Sequence, residues 1–376
     1  MRIEAIDLIH ISIPLVSPFR ISRGVISDRH MLLVRLHSEG AFGWAEAGAD
    51  LLPLYTYETV GTVRHVIADL FAEEILARNW PEEGSAHAVA EHHGKWPWHP
   101  MAKAVIEEAF WDLEARRRGM PVAELYSGGR PTRDRVEVGI SLGIQDDFEV
   151  LAGQIEAALA TGYRRIKLKI ARGHDLDMLR NVRDRFGDIP LMVDANCAYT
   201  ADDMDLLIEF DGLGLVMIEQ PFEYDELETH AALQARIDTP ICLDESAKTP
   251  AITARALDMG AARIINIKCS RLGGRAAGIA VHDLCEERGV PVWCGGMLEA
   301  GIGRLHNIAV ATLPNFTMSN DLSASRRYWK RDIIEPEVEL DGDGCVAVPT
   351  GPGIGHVVRD DLLERYEVTR ETLRRR

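Results

Sequence analysis

Five charged residues stand at an even step through the second half of the chain: Lys169, Asp194, Glu219, Asp244 and Lys268 are separated by 25, 25, 25 and 24 residues. Each ends, or nearly ends, a short apolar run: RRIKLKI, PLMVDAN, LVMIEQP, TPICLDES and ARIINIKCS. Such a step holds one strand, one helix and two loops, so each charge takes the same place in successive units. In a barrel of parallel strands those places form one mouth, where active sites assemble. The five side chains are expected to converge.

A single acid at a strand end ordinarily caps a helix or pairs with a loop cation. Three carboxylates at one mouth are different, because they repel and raise one another's pKa, while burying such charges unpaired costs several kcal/mol. A bound cation resolves the conflict. All three donors are oxygens and no His or Cys stands at a matching position, so hard Mg²⁺ or Mn²⁺ is expected over zinc, with Asp194, Glu219 and Asp244 as ligands. Lys169 and Lys268 flank this row, one strand before and one after it. Near a cation and partly desolvated, a lysine loses affinity for its proton and can act as a general base. Lys167 shares a strand face with Lys169. Its ammonium is expected to depress the pKa of Lys169; the alternative is an ordinary salt bridge to a neighbouring acid.

These side chains need a scaffold that repeats. From about residue 135 onward, short apolar runs alternate with amphipathic helical stretches, the pattern of a parallel sheet with crossover helices. Enough units of near-equal length are present to close the sheet into a (β/α) barrel. Ahead of it, residues 1–125 read as an α+β unit: alternating strands at 3–15, HMLLVRLHSEG and AFGWAEAG, then two helical patterns, the second ending in basic residues and Gly119. The barrel is assigned to 126–325. The tail, 326–376, is rich in turn residues, with DGDG and PTGPGIG, and is expected to pack back on the first domain.

With 376 residues, 46% of them hydrophobic, the chain can build more than one domain without staples. Its formal charge of −17 disfavours a phosphate backbone, so nucleic acid is not an expected partner. No run is long enough to span a bilayer, and the N-terminus lacks the pattern of a signal peptide. A soluble, cytoplasmic protein acting on small molecules is expected, with no membrane partner. The six cysteines contain no CxxC pair and read as mostly buried thiols.

The segments RRIKLKI at 164–170, MVDAN at 192–196, IEQP at 218–221, LDES at 243–246 and INIKCSRLGG at 265–274 resemble, strand by strand, the muconate-lactonizing subgroup of the enolase superfamily. The pairing of a lysine base with Mg²⁺ is a known pattern of that superfamily. WCGGMLEAGIGRLHNIAVATLPNFT at 293–317, SPFRISRG at 17–24, HPMAKA at 99–104 and SASRRYW at 323–329 are similar to its N-acylamino acid racemase and o-succinylbenzoate synthase branch. The resemblance covers nearly the whole chain. It implies an α/β fold, with an N-terminal α+β capping domain on a modified (β/α)7β, TIM-like barrel. It also implies Mg²⁺ on Asp194, Glu219 and Asp244, acid/base roles for Lys169 and Lys268, and a homo-oligomer. Substrate-side positions fall on Ser141, Asn196, Gly296 and Met297 in the barrel and Tyr55 in the cap, with Glu245 orienting a lysine or the metal's waters.

Three departures from the family pattern stand out. Arg23 replaces an aromatic residue in the loop that closes over the substrate's distal part, where a guanidinium could take an anionic tail as a bidentate partner. Cys269 and Ser270 stand where Pro and Gly are more usual, and Trp96 and Trp98 enrich a plainer stretch. For the two tryptophans, packing within the cap or between subunits is favoured over a pocket wall.

Two lysines on opposite sides of a substrate suit a 1,1-proton transfer, so the first reading is racemisation of an N-acylated, N-succinyl-type amino acid. The second is o-succinylbenzoate synthesis by β-elimination of water, with Lys169 as base and Lys268 as a spectator cation. One constellation can serve both. A Schiff-base lysine enzyme would need no row of carboxylates, and a barrel that only binds metabolites would be expected to have lost one of the five residues.

Overall fold

The computed structural model describes residues 1–375. Three antiparallel strands open the chain, β1 (Ala5–Ile21), β2 (Gly24–Ser38) and β3 (Ala41–Glu46). Ile6, Leu8, Leu32, Val34 and Leu36 bury their side chains between this sheet and a helical layer. In that layer, helix α1 (Pro100–Arg118) runs against β3. Proline at its first position and left-handed Gly119 after its last supply a start and a stop that match its length. Gly43 of β3 lies so close to it that an added Cβ would come within 2.2 Å of the Ala109 carbonyl oxygen and 2.5 Å of the Leu113 nitrogen. Gly43→Ala should therefore lower stability by roughly 1–3 kcal/mol through overpacking. An unshifted urea midpoint would mean that strand and helix do not meet this closely.

Seven parallel strands follow, each leading into helical structure: β4 (Ile140–Leu142), β5 (Ile166–Lys169), β6 (Leu191–Asp194), β7 (Ile218–Glu219), β8 (Ile241–Leu243), β9 (Ile264–Ile267) and β10 (Val292–Cys294). They pair in sequence order. The segment 316–321 closes the ring, bridged in parallel to Val292 on one side and to Val138 on the other. The result is a (β/α)7β barrel, as the family resemblance implies. The last residues, β11 (Glu367–Arg374), return to pair antiparallel with β1 and extend the cap's sheet.

Side chains two apart on a strand share a face, and this sets the barrel interior in layers. Met192, Met217, Cys242, Ile264 and Trp293 form a buried apolar cluster of their own. Two residues after Met192, Met217 and Cys242 come Asp194, Glu219 and Asp244. The apolar layer is thus a floor, and the next inward positions carry the charges.

Cap and barrel are joined by buried polar contacts. Glu46, at the end of β3, accepts hydrogen bonds from the backbone N–H groups of Ala300 and Gly303, both at 2.9 Å, at the start of helix α2 (Gly301–Val310). A carboxylate there satisfies donors that have no partner within the helix. Arg275 pairs with Glu108 of α1 at 3.0 Å. No helix among the described residues is long and apolar enough to cross a membrane. Five of the six cysteines are buried, and Cys345 is half-buried.

Candidate active site

The three acids of the row end adjacent strands or directly follow them, and all are buried, with 1% of Asp194 and none of Glu219 or Asp244 exposed. Lys169 Nζ donates to Asp194 Oδ2 at 2.6 Å and to Asn196 Oδ1 at 2.7 Å. Lys268 Nζ donates to Asp244 Oδ2 at 2.8 Å and lies 4.5 Å from the centre of the Tyr55 ring. The five in-phase residues are one connected group: Lys167 Nζ spans Glu219 Oε2 at 3.2 Å and Asp194 Oδ2 at 3.4 Å, and Asn266 donates to Glu219 Oε1 while its carbonyl accepts from Arg271, which pairs with Asp244.

The electrostatics follow from burial against pairing. Burial pushes Asp194 up, yet Lys169 and Lys167 outweigh it and hold the carboxyl below its ordinary value. Asp244 is likewise lowered, with Lys268 and Arg271 overriding burial. Glu219 is pushed up to about 8, by burial first and then by repulsion from Asp194, against the pull of Lys167. Burial lowers Lys268, but Asp244, Tyr55, Glu219 and Glu245 together raise it well above the usual ammonium.

The remaining residues singled out by sequence fall into two groups. Tyr55 comes down from the cap, and its hydroxyl donates to Asp244 Oδ1 at 2.7 Å. Asn196, in the left-handed region at φ 43°, donates from Nδ2 to Glu245 Oε1 at 3.1 Å while holding Lys169 through Oδ1. Glu245, raised to about 7 by burial and by Asp244 and Asp194, thus reaches Lys169 through Asn196. Ser141, Gly296 and Met297 line one cavity with Tyr55, Asn196 and all three lysines, under an apolar roof that includes Phe19, Ile21 and Leu54. Gly296 is tight: a Cβ would approach the Asp321 carbonyl oxygen to 2.6 Å.

Arg23 reaches this set only at its edge, where Nε donates to the Asn196 carbonyl at 3.4 Å. Its Nη2 donates to Glu223 Oε1 at 2.8 Å, both side chains are substantially exposed, and Arg23 is not among the cavity walls. Trp96 and Trp98 also lie outside the cavity, with Trp98 68% exposed. Cys269 and Ser270 fit their surroundings: the Cys269 thiol lies over Gly278, and Ser270 lies against Gly48 at the rim of the cap.

Some residues of the constellation carried no periodic signal. Arg271, one turn past Lys268, pairs with Asp244 Oδ1 and donates to the Tyr55 hydroxyl at 2.9 Å. It belongs to the RLGG segment after Lys268, and nothing in the spacing of that segment marks the arginine. Asn266, two residues before Lys268 and so on the same face, donates to Glu219 Oε1 at 2.7 Å; strand parity could have found it. Gln220 accepts from the Asp244 and Ser246 backbone N–H groups at 2.9 and 3.2 Å, fixing the turn that presents Asp244. Asp321, on the closing segment, pairs with Lys167 and Arg165.

The donor chemistry fits a divalent cation. Three buried carboxylates offer hard oxygens, and the buried Glu245 Oε2 and Asn266 Oδ1 have no hydrogen-bond partner among the described residues. His282, Asp283 and Glu286 also bring ligand-type atoms within 4.8 Å of one another, on a barrel helix. Both imidazole nitrogens there are already engaged, Nδ1 with Asp283 at 2.7 Å and Nε2 with the Asn315 N–H at 2.9 Å.

Known proteins agree with this architecture along the whole chain. Residues 5–126 match the mandelate racemase / muconate lactonizing enzyme N-terminal domain, and residues 150–362 match the enolase C-terminal domain-like family. An o-succinylbenzoate synthase of Geobacillus stearothermophilus is 47% identical over 97% of this chain and 96% of its own length. An N-succinylamino acid racemase of Thermus thermophilus is 44% identical over 97% of each chain. Among solved structures, an enolase superfamily member from Listeria innocua superposes with a TM-score of 0.93 at 35% identity, covering 100% of this chain and 99% of that one. With both of its domains matched and relatives of this identity along its length, the chain belongs to the mandelate racemase / muconate lactonizing enzyme family of the enolase superfamily.

Proposed function

We propose that this enzyme racemises N-acylated amino acids, N-succinyl derivatives foremost, by a 1,1-proton transfer between Lys169 and Lys268. The observation that carries the reading is the arrangement of two lysines, from strands flanking the acid row, on the walls of one cavity. One lysine takes the proton from the carbon next to the substrate carboxylate. The other returns a proton to the opposite face, giving the mirror-image product. Asp194, Glu219 and Asp244 would hold Mg²⁺ or Mn²⁺, which supplies Lewis-acid stabilisation of the negative charge developing on the substrate carboxylate. Asp244 is the seat of Lys268 and the first of the anions that hold its ammonium charged, so the charge on Asp244 governs how readily Lys268 exchanges its proton. Asn196 aims Lys169, with Glu245 behind it, and Tyr55 covers Asp244 from the cap.

A second reading, o-succinylbenzoate synthesis, is favoured by the seat of Lys268 between Asp244 and the Tyr55 ring, a fixed position suited to a cation that only stabilises charge. Relatives bearing each name match the chain at similar identity. The cap of residues 1–125, the barrel of 126–325 and the returning tail of 326–376 act as one unit in this reading. A small-molecule carboxylate as substrate, a homo-oligomer and a cytoplasmic setting accompany it.

Proton NMR in D₂O with Mg²⁺ tests the proposal on N-succinyl and N-acetyl amino acids. Loss of the α-proton signal together with inversion is the expected result. No washout from any N-acyl amino acid, while the cyclohexadiene precursor of o-succinylbenzoate is dehydrated, would assign the enzyme to the second reaction.

A further inference from the structure

The ammonium of Lys167 is buried beside two of the three acids assigned to the cation, and it is held mainly by neither. It lies 3.2 Å from Glu219 Oε2 and 3.4 Å from Asp194 Oδ2, both longer than the ~2.7–2.9 Å of a fully made N⁺–H···O⁻ bond. Asp321 Oδ2 is the closest of its three carboxylate contacts. Asp321 is itself pinned: its Oδ1 accepts from Arg165 Nη1 at 2.7 Å, and its backbone N–H donates to the Cys294 carbonyl at 2.9 Å. Arg165 Nη2 continues to the Ser319 carbonyl at 2.9 Å. Both cations stack over the floor tryptophan, Lys167 at 4.9 Å and Arg165 at 5.4 Å from the Trp293 ring centre. Space for the pair is made by glycine, since a Cβ on Gly139 would fall 2.5 Å from the Arg165 guanidinium carbon.

We infer that Asp321 is a positioning residue: by engaging Lys167 it keeps that ammonium from closing on Asp194 and Glu219, and so leaves their oxygens to a divalent cation. An ammonium and a divalent cation compete for the same carboxylate oxygens. Without the charge of Asp321, Lys167 would turn to the two acids that remain within reach, and the cation would have to displace it. The inference rests on the reading of Asp194, Glu219 and Asp244 as cation ligands.

Mn²⁺ binding, followed by the EPR signal of the free ion, tests this on the full-length wild type, Asp321→Asn, Lys167→Met and the double variant. Asp321→Asn is expected to raise the Kd on the order of tenfold, the size typical of losing a group that supports a metal's ligands. Lys167→Met should lower the Kd, because the competitor is gone. In the double variant the Kd should stay within about threefold of Lys167→Met alone, since Asp321 acts through that lysine. A purely structural role would give the same Asp321→Asn shift in both backgrounds and would overturn the inference, as would an unchanged Kd in Asp321→Asn. If Asp321→Asn does not fold, Lys167→Met decides alone: tighter Mn²⁺ binding supports the inference and unchanged or weaker binding overturns it. A wild type that binds no Mn²⁺ sinks the cation reading itself, a separate failure.

Discussion

Lys268→Ala should reduce racemisation by about 10²–10⁴-fold, the range lost with a general acid/base group, while α-proton exchange persists from one enantiomer only. The asymmetry comes from the positions of the two lysines. Lys169 is seated on Asp194 and Asn196, and Lys268 on Asp244, one strand beyond the other end of the acid row. Truncating Lys268 leaves the Lys169 contacts intact, so the enantiomer whose α-proton faces Lys169 can still lose it to solvent deuterium. It cannot be reprotonated from the other side. Chiral chromatography measures the lost inversion, and proton NMR in D₂O measures the surviving exchange. Two-way turnover at the wild-type rate would rule out the two-lysine scheme. Synthase activity surviving in a variant that no longer racemises would instead place Lys268 outside proton transfer in that second reaction.

Replacing Asp244 by Ala is expected to act on several levels at once, because this carboxylate accepts from the Tyr55 hydroxyl, Lys268 and Arg271. Lys268 and Arg271 are buried, with 7% and 4% of their surface exposed. Removing their common anion leaves two adjacent buried cations without their nearest counter-charge, a loss of about 3–5 kcal/mol when one partner of a buried pair is deleted. Chemical denaturation measures that loss. Catalysis should fall by at least 10²-fold, since a cation ligand and the anchor of Lys268 disappear together. Asp244→Asn keeps the shape and one acceptor oxygen, so it should recover part of the stability without recovering Mn²⁺ binding. A variant that folds as firmly as wild type and still takes up Mn²⁺ with wild-type affinity would show that Asp244 is neither anchor nor ligand.

How legible each part was depends on how local its cause is. The intervals of 25, 25, 25 and 24 record a unit repeated along the chain, and each charge owes its place to the strand that it ends. Lys167 and Lys169 could be put on one face for the same reason: alternation along a strand involves only neighbours. The partners of Arg23 are not local. Its place in a loop near the substrate suggests an anionic tail, and in space its guanidinium meets the Asn196 carbonyl and a carboxylate 200 residues away, Glu223. No local pattern contains that partner.

What the sequence by itself determined was the repeat, the parity and the identity of the charges, and hence a barrel whose strand ends gather three acids and two lysines. Closure of the barrel decided the rest. Only when the segment 316–321 enters between the first and last strands does Asp321 meet Lys167 and Arg165, 154 and 156 residues away. Only when the cap docks does the Tyr55 hydroxyl reach Asp244, 189 residues on. Such pairs are set by packing many elements together, and chain spacing holds no record of them.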